Sequence, residues 1–304
     1  MNPLLARHLY GSARKNRFFV FLTLYLLGIS LLTLLFVGML LIDLLFGNGR
    51  VSMDSIFASG RALYWFSSIL LLLSTMLLAP INALGALASE REQRTLDLLR
   101  VTTLSPQAIV LGKLFAACLT GGLYLLSPLP LLMLGYWLGG VQTPELVITL
   151  AFLVMTLFSS TAWALFISSL TRKTIIAVFL FYGLTLAVIP IGGVLLAVLQ
   201  ALVYAPVIPA QPFWIEVLMQ HGWIVLTALH PLSAAIATES LWSSQGTWFM
   251  ATLPVERYIE SLGTTVSLGT VTLPSPWIPN LCLSLLITVL LLWWTTHRMA
   301  QPDR

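Results

Sequence analysis

Charged residues are scarce in this sequence. Only 9% of its 304 residues are Asp, Glu, Lys or Arg, whereas 58% are hydrophobic. Several uncharged apolar runs exceed the roughly 18 residues that indicate a membrane-spanning helix. A helix that is apolar on every face cannot lie on the surface of a soluble protein. The composition therefore excludes a soluble domain and predicts an all-α, polytopic membrane protein.

Cysteine and histidine are also scarce, with two and four residues. Cys118 and Cys282 both lie inside apolar segments, where a thiol behaves as a small hydrophobic group. The histidines are far apart and form no His-Glu-x-x-His pattern, which argues against a metalloprotease site. We therefore expect no disulfide framework, no metal, no cofactor and no catalytic residues, and the chain is not expected to be an enzyme.

The sequence has no energy-coupling device of its own. Gly112-Lys113 looks like the end of a phosphate-binding loop, but Gln107 stands at the required upstream glycine and Leu114 at the required hydroxyl residue. Ionisable residues are absent from the centres of the apolar runs, and Asp43 and Glu145 lie near run ends. Because proton- and ion-driven carriers keep such residues at mid-membrane depth, the driving force for any transport must come from elsewhere.

Six apolar runs are each long enough to cross a hydrocarbon core of about 30 Å at about 1.5 Å of rise per residue. They cover residues 18–46, 63–88, 114–138, 146–170, 175–203 and 277–294. The first run is far longer than the roughly 7–15 apolar residues of a cleavable signal sequence. We therefore expect residues 1–304 to form a single transmembrane domain with six transmembrane helices.

The basic residues are divided unequally between the two sides of these spans. With a cytoplasmic N-terminus, only Arg50, Arg61 and Arg257 of the 15 Lys and Arg residues lie outside. The positive-inside rule thus predicts a multi-pass protein of the cell inner (plasma) membrane with both termini cytoplasmic. Because these basic residues stand at the ends of apolar runs, we interpret the net charge of +4 as a result of membrane topology and not as a sign of nucleic-acid binding. We expect membrane lipid, and no nucleic acid, as a partner.

Two segments outside the spans are predicted to lie at the membrane interface. Residues 1–17 begin with Asn2-Pro3, a helix cap followed by a first-turn proline, and favour an interfacial helix over a disordered basic tail. Residues 204–276 contain several prolines, which exclude an unbroken helix, and tryptophans that are typical of the outer interface. We expect short re-entrant outer helices here, including residues 213–229, rather than a soluble external loop.

The densest charge cluster lies between the second and third runs, in a predicted cytoplasmic loop over residues 89–113. The apolar run that ends in Gly85-Ala86-Leu87-Ala88 passes into Ser89-Glu90 without a helix breaker. The second span is therefore predicted to continue into the cytoplasm as a helix on which Leu96 and Leu99 share a face. Ser105-Pro106 predicts the start of a new helix. The alternative is a loop that merely connects two spans. The residues expected to dock a soluble partner are Glu90, Arg91, Glu92, Thr95, Leu96, Asp97 and Leu99.

This loop resembles that of the membrane subunits of type-2 ABC transporters, the ABC exporter permeases. Their loop commonly reads Glu-(Lys/Arg)-Glu, Thr-Leu-(Glu/Asp), a turn with threonine or proline, and Gly-Lys at the start of the third span. The matching residues are Glu90-Arg91-Glu92, Thr95-Leu96-Asp97, Ser105-Pro106 and Gly112-Lys113. The resemblance is sharp over about residues 84–115. Arg94 stands where a glycine is frequent in the family, and Thr103 where a proline often turns the chain.

The resemblance implies a permease subunit that forms the translocation path of an ATP-binding-cassette exporter. Such subunits pair as homo- or heterodimers with a second permease subunit, and each docks a separate cytosolic ATP-binding subunit through this loop, the coupling helix. Two alternatives remain open: a non-transporting membrane anchor or regulatory subunit of an ATPase-containing complex, and a membrane-embedded enzyme. Since the spans hold no central charge to pair with an ionic substrate, we expect a lipid-like or otherwise hydrophobic cargo, or an extruded peptide.

Overall fold

The chain divides into two compact units. The computed structural model describes residues 16–46, 52–95, 105–204, 213–259 and 264–300. The first unit comprises Met1–Tyr182 and Leu285–Arg304, and the second comprises Gly183–Ser284. The sequence prediction of a single transmembrane domain did not include this division. The predicted interfacial helix over residues 1–17 lies outside the described residues, except for the start of the first helix at Asn16.

Helices dominate the described chain, as predicted, and one β-hairpin departs from the all-α expectation. The helices are α1 (Asn16–Phe46), α2 (Met53–Leu78), α3 (Ile81–Glu92), α4 (Pro106–Leu126), α5 (Leu129–Trp137), α6 (Thr143–Leu170), α7 (Thr174–Tyr204), α8 (Phe213–Ala228), α9 (Pro231–Gln245) and α10 (Trp277–Ala300). The hairpin consists of β1 (Met250–Ile259) and β2 (Thr264–Pro274), which pair antiparallel. It lies in the segment that was predicted to form short helices.

Five helical segments in the described chain are long and apolar enough to cross a membrane, which is consistent with a multi-pass membrane protein. They are Phe19–Asp43, Met53–Glu92, Pro106–Leu126, Thr143–Leu170 and Trp277–Ala300. In α7, which was predicted to supply a further span, Thr174–Val188 forms a shorter apolar stretch. Leu34 and Met39 of α1 are 68% and 70% exposed, as is expected of side chains that face lipid.

Prolines interrupt two of the predicted spans. Pro80 separates α2 from α3, and Pro128 separates α4 from α5. A proline has no N–H to donate, and its ring clashes with the carbonyl of the preceding turn. The Leu77 carbonyl next to the first break accepts a hydrogen bond from the Tyr182 hydroxyl at 2.5 Å. The predicted spans over residues 63–88 and 114–138 are thus each divided by a proline in the structure.

The core of the first unit surrounds α3. Small residues at helix contacts let backbones approach closely, and Ala83 and Ala88 are fully buried on α3 beside Leu84 and Leu87. The residues packed in the same cluster come from α4, α6, α7 and α10, and they include Ile109, Val110, Ala164, Leu165, Ala177, Phe181 and Met299. This packing fixes the position of α3, whose last turn carries the charge cluster.

The N-terminal half of α2 packs against α5 at a glycine and against α6 through one ion pair. A Cβ atom placed on Gly135 of α5 would lie 2.5 Å from the backbone nitrogen of Tyr64 of α2, so only glycine fits there. Glu145, in the first turn of α6, is 4% exposed and lies 3.9 Å from the Arg61 guanidinium. Arg61 is thus a cationic neighbour of this buried carboxyl group.

In the second unit, polar contacts hold both ends of α9. His230 caps α9, since its Nδ1 accepts a hydrogen bond from the Leu232 N–H at 3.2 Å, and burial lowers the pKa of His230 below its ordinary value. The indole N–H groups of Trp242 and Trp277 donate to the Trp248 carbonyl at 3.4 and 2.7 Å. These contacts fix the first turn of α9 and tie its last turn to the residues before the hairpin.

We predict that Gly135→Ala destabilises the protein by about 1–3 kcal/mol, because the added methyl group meets the α2 backbone and not a flexible side chain. Thermal unfolding in detergent, followed by tryptophan fluorescence, measures the effect. Gly122→Ala is the matched control, since a Cβ atom at Gly122 of α4 has nothing within 4 Å. Equal melting temperatures for the two variants would contradict the close packing of α2 and α5.

Candidate functional site

The last turn of α3 and the helix ends around it form the candidate site, which we call the Glu90 site. It comprises Glu90, Arg91 and Glu92 of α3, the turn Gln93–Thr95, Lys113 of α4, Ser168 and Ser169 of α6, and Thr174 of α7. Ala83, Leu84, Leu87 and Ala88 anchor the helix in the apolar core, so the following turn is held firmly at the edge of that core. The charged residues are thus presented by a rigid element.

Glu90 pairs with a buried lysine. The Lys113 ammonium lies 2.7 Å from Glu90 Oε1 and also donates to the Ala86 carbonyl at 2.5 Å. The Lys113 side chain is only 4% exposed, whereas that of Glu90 is 23% exposed. A buried ammonium is tolerated only when it is paired and hydrogen-bonded. Glu90 therefore neutralises a charge that the apolar core could not otherwise hold.

Arg91 and its neighbours bind the carboxyl end of α6. Arg91 Nη1 donates to the Ser169 carbonyl at 2.5 Å and to the Thr171 carbonyl at 3.5 Å. The last carbonyls of a helix lack intrahelical partners and carry partial negative charge, so a guanidinium there is favourable. The fully buried Ser168 hydroxyl accepts hydrogen bonds from the backbone N–H groups of Leu87 and Ala88 at 3.1 and 2.9 Å.

Glu92 contacts the amino end of α7. Its Oε2 accepts hydrogen bonds from the Thr174 backbone N–H at 3.4 Å and the Thr174 hydroxyl at 3.3 Å. A carboxylate at a helix N-terminus satisfies an unpaired N–H and complements the positive end of the helix dipole. Three consecutive charged residues of α3 therefore contact three different helices: Glu90 contacts α4, Arg91 contacts α6, and Glu92 contacts α7.

The helix ends immediately after Glu92 in a Schellman turn. The Arg94 N–H donates to the Arg91 carbonyl at 3.1 Å, and the Thr95 N–H donates to the Glu90 carbonyl at 2.8 Å. Arg94 adopts a φ of 57°, the left-handed conformation that this turn requires and that glycine favours. The prediction that α3 continues as one helix through Leu96 and Leu99 is wrong at this turn. Leu96, Asp97 and Leu99 themselves lie outside the described residues.

The chain returns to described structure at Ser105, and the predicted helix start there is confirmed. The Ser105 side chain accepts a hydrogen bond from the Ala108 N–H at 3.3 Å, and Pro106 occupies the first helical turn of α4. This cap fixes the position of α4, so that Lys113, two turns further along, reaches Glu90. Glu92, Gln93 and Arg94 are exposed at the tip of the site.

Sequence reasoning found the charge cluster but missed its internal partners. It treated Glu90 as an exposed docking residue, and it noted Lys113 only within a motif. The available signal was a lone lysine inside an apolar run, since such a residue needs a nearby carboxylate. Within the described ranges, His, Cys, Asp and Glu form no group of three or more that could hold a metal ion. No family model matches the chain, and no curated protein matches it in sequence.

We predict that Glu90→Leu destabilises the protein by about 3–5 kcal/mol, because it leaves the Lys113 ammonium buried without a counter-charge. Lys113→Met should cost less, since the Glu90 carboxylate that it leaves behind is more exposed. The double variant Glu90→Leu, Lys113→Met should recover much of the loss. Unfolding of all four proteins in the same detergent gives the coupling energy. Additive effects of the two single substitutions would show that the pair contributes nothing.

We predict that Arg94→Gly stabilises the folded protein by up to about 1 kcal/mol, because glycine adopts the left-handed conformation without the steric cost of a Cβ atom. Gln93→Gly is the matched control. Gln93 has a φ of −86° and a ψ of 0°, so glycine there brings no relief and adds flexibility to the unfolded chain. A shift of melting temperature in the same direction for both variants would contradict the conformation assigned to Arg94.

Proposed function

We propose that the chain is the permease subunit of an ATP-binding-cassette exporter and that the Glu90 site is its coupling element. A separate cytosolic ATP-binding subunit docks at the exposed tip, Glu92 to Arg94, and at the loop residues that follow. ATP hydrolysis takes place on that partner, and two permease subunits enclose the translocation path. The resemblance of residues 84–115 to type-2 ABC permeases supports this assignment, together with the multi-pass helical character of the chain.

The observation that carries the proposal is the arrangement of the three charged residues at the end of α3. Each of them contacts a different helix, at the Lys113 ammonium, the Ser169 carbonyl and the Thr174 N–H. A force applied to the tip therefore acts on α3, α4, α6 and α7 together. A loop that merely connected two spans would not need such a junction. The junction suits an element that converts a movement of a soluble partner into a rearrangement of membrane helices.

The proposed topology has six spans, with α7 as the fifth and α10 as the sixth. The full α7 is 31 residues long, which exceeds the roughly 20 residues that a span requires. The protein lies in the inner (plasma) membrane of the cell, with both termini in the cytoplasm. In this topology the Glu90 site faces the cytosol. In this orientation α8, α9 and the hairpin form the outer segment, in which α8 and α9 re-enter the outer leaflet. The cargo is a lipid-like or hydrophobic molecule, or an extruded peptide.

The predicted site residues fall into two groups: some make contacts within the protein, and others are exposed to a docking partner. Glu90 and Arg91 are partly buried and hold the helix ends together, whereas Glu92 is exposed and its contacts to Thr174 are long. We therefore assign positioning roles to Glu90 and Arg91, and direct docking to Glu92, Thr95 and the loop residues Leu96, Asp97 and Leu99. Charge reversal at Glu90 would disturb the fold, so it cannot by itself test docking.

The test begins with affinity purification of the full chain from its native membranes. We expect an ATP-binding subunit to copurify, and we expect the double variant Glu92→Lys, Arg94→Glu to reduce its binding at least about ten-fold, because both changes alter exposed charges at the tip. Asp54→Lys is the matched control, since it changes an exposed acidic residue at the first turn of α2, far along the chain from the tip.

Reconstitution of the purified pair in vesicles separates transport from anchoring. In an exporter, ATP hydrolysis by the partner rises in the presence of cargo and falls in the tip variant, while the Asp54→Lys control retains the stimulation. An anchor or regulatory subunit would bind the partner and leave its hydrolysis independent of cargo. The proposal would be overturned if no ATP-binding subunit copurified with the chain, or if the Glu92→Lys, Arg94→Glu variant bound that subunit as well as the unchanged chain does.

A further inference from the structure

The two edges of the β-hairpin differ. A two-stranded sheet has an edge on each strand, and each edge offers backbone N–H and C=O groups to a further strand. The strands pair from Met250↔Pro274 to Ile259↔Thr264, with a register irregularity between Val255 and Glu256. In such a pair, alternate residues direct their backbone groups outward. An edge is open to a further strand only if the backbone groups of these outward-directed residues have no other partner.

The outer edge of β1 is closed by its own unit. Gln245, the last residue of α9, donates from Nε2 to the Thr252 carbonyl at 2.7 Å and accepts from the Thr252 N–H at 2.8 Å. The Thr247 hydroxyl donates to the Met250 carbonyl at 2.5 Å. Pro254, the next outward residue, has no N–H to offer. Side chains and a proline therefore occupy the positions where another strand would pair.

The corresponding edge of β2 is open. Thr252 lies opposite Thr272 and Pro254 lies opposite Thr270, so Thr270 and Thr272 also direct their backbone groups outward. The hydrogen bond from the Ser275 N–H to the Phe249 carbonyl at 2.9 Å agrees with this alternation. Both threonines are exposed, and among the described residues their outward backbone groups have no partner. One edge is thus protected and the other is left for a strand.

We propose that the open edge of β2 pairs with β2 of a second copy of this chain. The sequence of β2, Thr264–Pro274, contains no charged residue, so two identical strands meet without like charges opposite each other. By contrast, β1 contains Glu256 and Arg257, charges of the kind that protect an edge from pairing. Antiparallel pairing of a strand with the same strand of a second copy has two-fold symmetry. A two-fold axis also relates the two subunits of a closed dimer.

The outward residues define the register of this pairing. Thr270 of one copy lies opposite Thr272 of the other, and the two exchange N–H and C=O hydrogen bonds. The same pair recurs on the other side of the two-fold axis, which passes beside Val271. A short strand contact is weak between free molecules, but two copies held in one membrane meet at a high effective concentration. The pairing does not require the coupling role proposed above, because it involves no residue of the Glu90 site.

Disulfide trapping in native membranes tests the pairing and its register. Cys118 and Cys282 are first replaced by alanine, and two differently tagged copies are then expressed together, one with Thr270→Cys and the other with Thr272→Cys. Opposed residues in a hydrogen-bonded pair are about 5.5 Å apart at Cα, within the range of a disulfide. We expect mild oxidation to crosslink the mixed copies at least about ten-fold more than either variant alone, since like positions lie farther apart.

Thr252→Cys with Thr270→Cys is the matched control, because Thr252 is an exposed threonine on the closed edge. This pair should give no dimer. A second measurement uses Thr272→Pro, which removes an outward N–H and leaves the bonds between β1 and β2 intact, against Thr272→Val, which keeps that N–H. We expect only the proline variant to lower the dimer fraction that native mass spectrometry detects in detergent.

Absence of the mixed crosslink, while both cysteines react with a water-soluble thiol reagent, would overturn the proposal. Crosslinking of Thr270→Cys to a different polypeptide would also overturn it, because the edge would then serve another partner. Neither result concerns ATP hydrolysis or the binding of an ATP-binding subunit. Failure of the strand pairing and failure of the proposed function are therefore separate outcomes.

Discussion

The position of one buried ammonium group governs the arrangement of the Glu90 site. Lys113 lies in an apolar core, where a charge without a partner would be costly, so α3 and α4 must meet in the register that brings Glu90 to it. Once that register is set, Arg91 and Glu92 follow on the same helical turn and reach the ends of α6 and α7. Packing of alanine and leucine supplies the contact area, and the ion pair adds a contact that depends on the register of α3 against α4.

The sequence predicted the helical membrane character and the start of α4, because long apolar runs and a Ser-Pro cap are local signals. It did not predict the end of α3. A left-handed residue usually announces itself as glycine, and here the position is Arg94, whose backbone conformation is set by the Schellman hydrogen bonds. It also missed the hairpin, since the alternation in residues 250–274 is weak beside the prolines and tryptophans that favoured interfacial helices.

The partners of Glu90, Arg91 and Glu92 could not be predicted for a different reason. The residues that they contact are far away in the sequence, and pairing across such distances depends on how the spans pack. An apolar span gives little information about its rotation, because all of its faces are hydrophobic. The few polar residues therefore carry most of the recoverable information. Lys113 and Ser168 are each such a residue, and the side chain of each contacts α3.

The contacts of α3 also have an order in time. Glu90 and Lys113 are 23 residues apart, whereas Arg91 and Ser169 are 78 apart and Glu92 and Thr174 are 82 apart. A chain synthesised from its N-terminus can form the first contact when α4 emerges, but the other two must await the end of α6 and the beginning of α7. The junction is therefore completed only after α6 and the first turn of α7 have been synthesised, and a surface that uses all three charged residues cannot exist on a shorter chain.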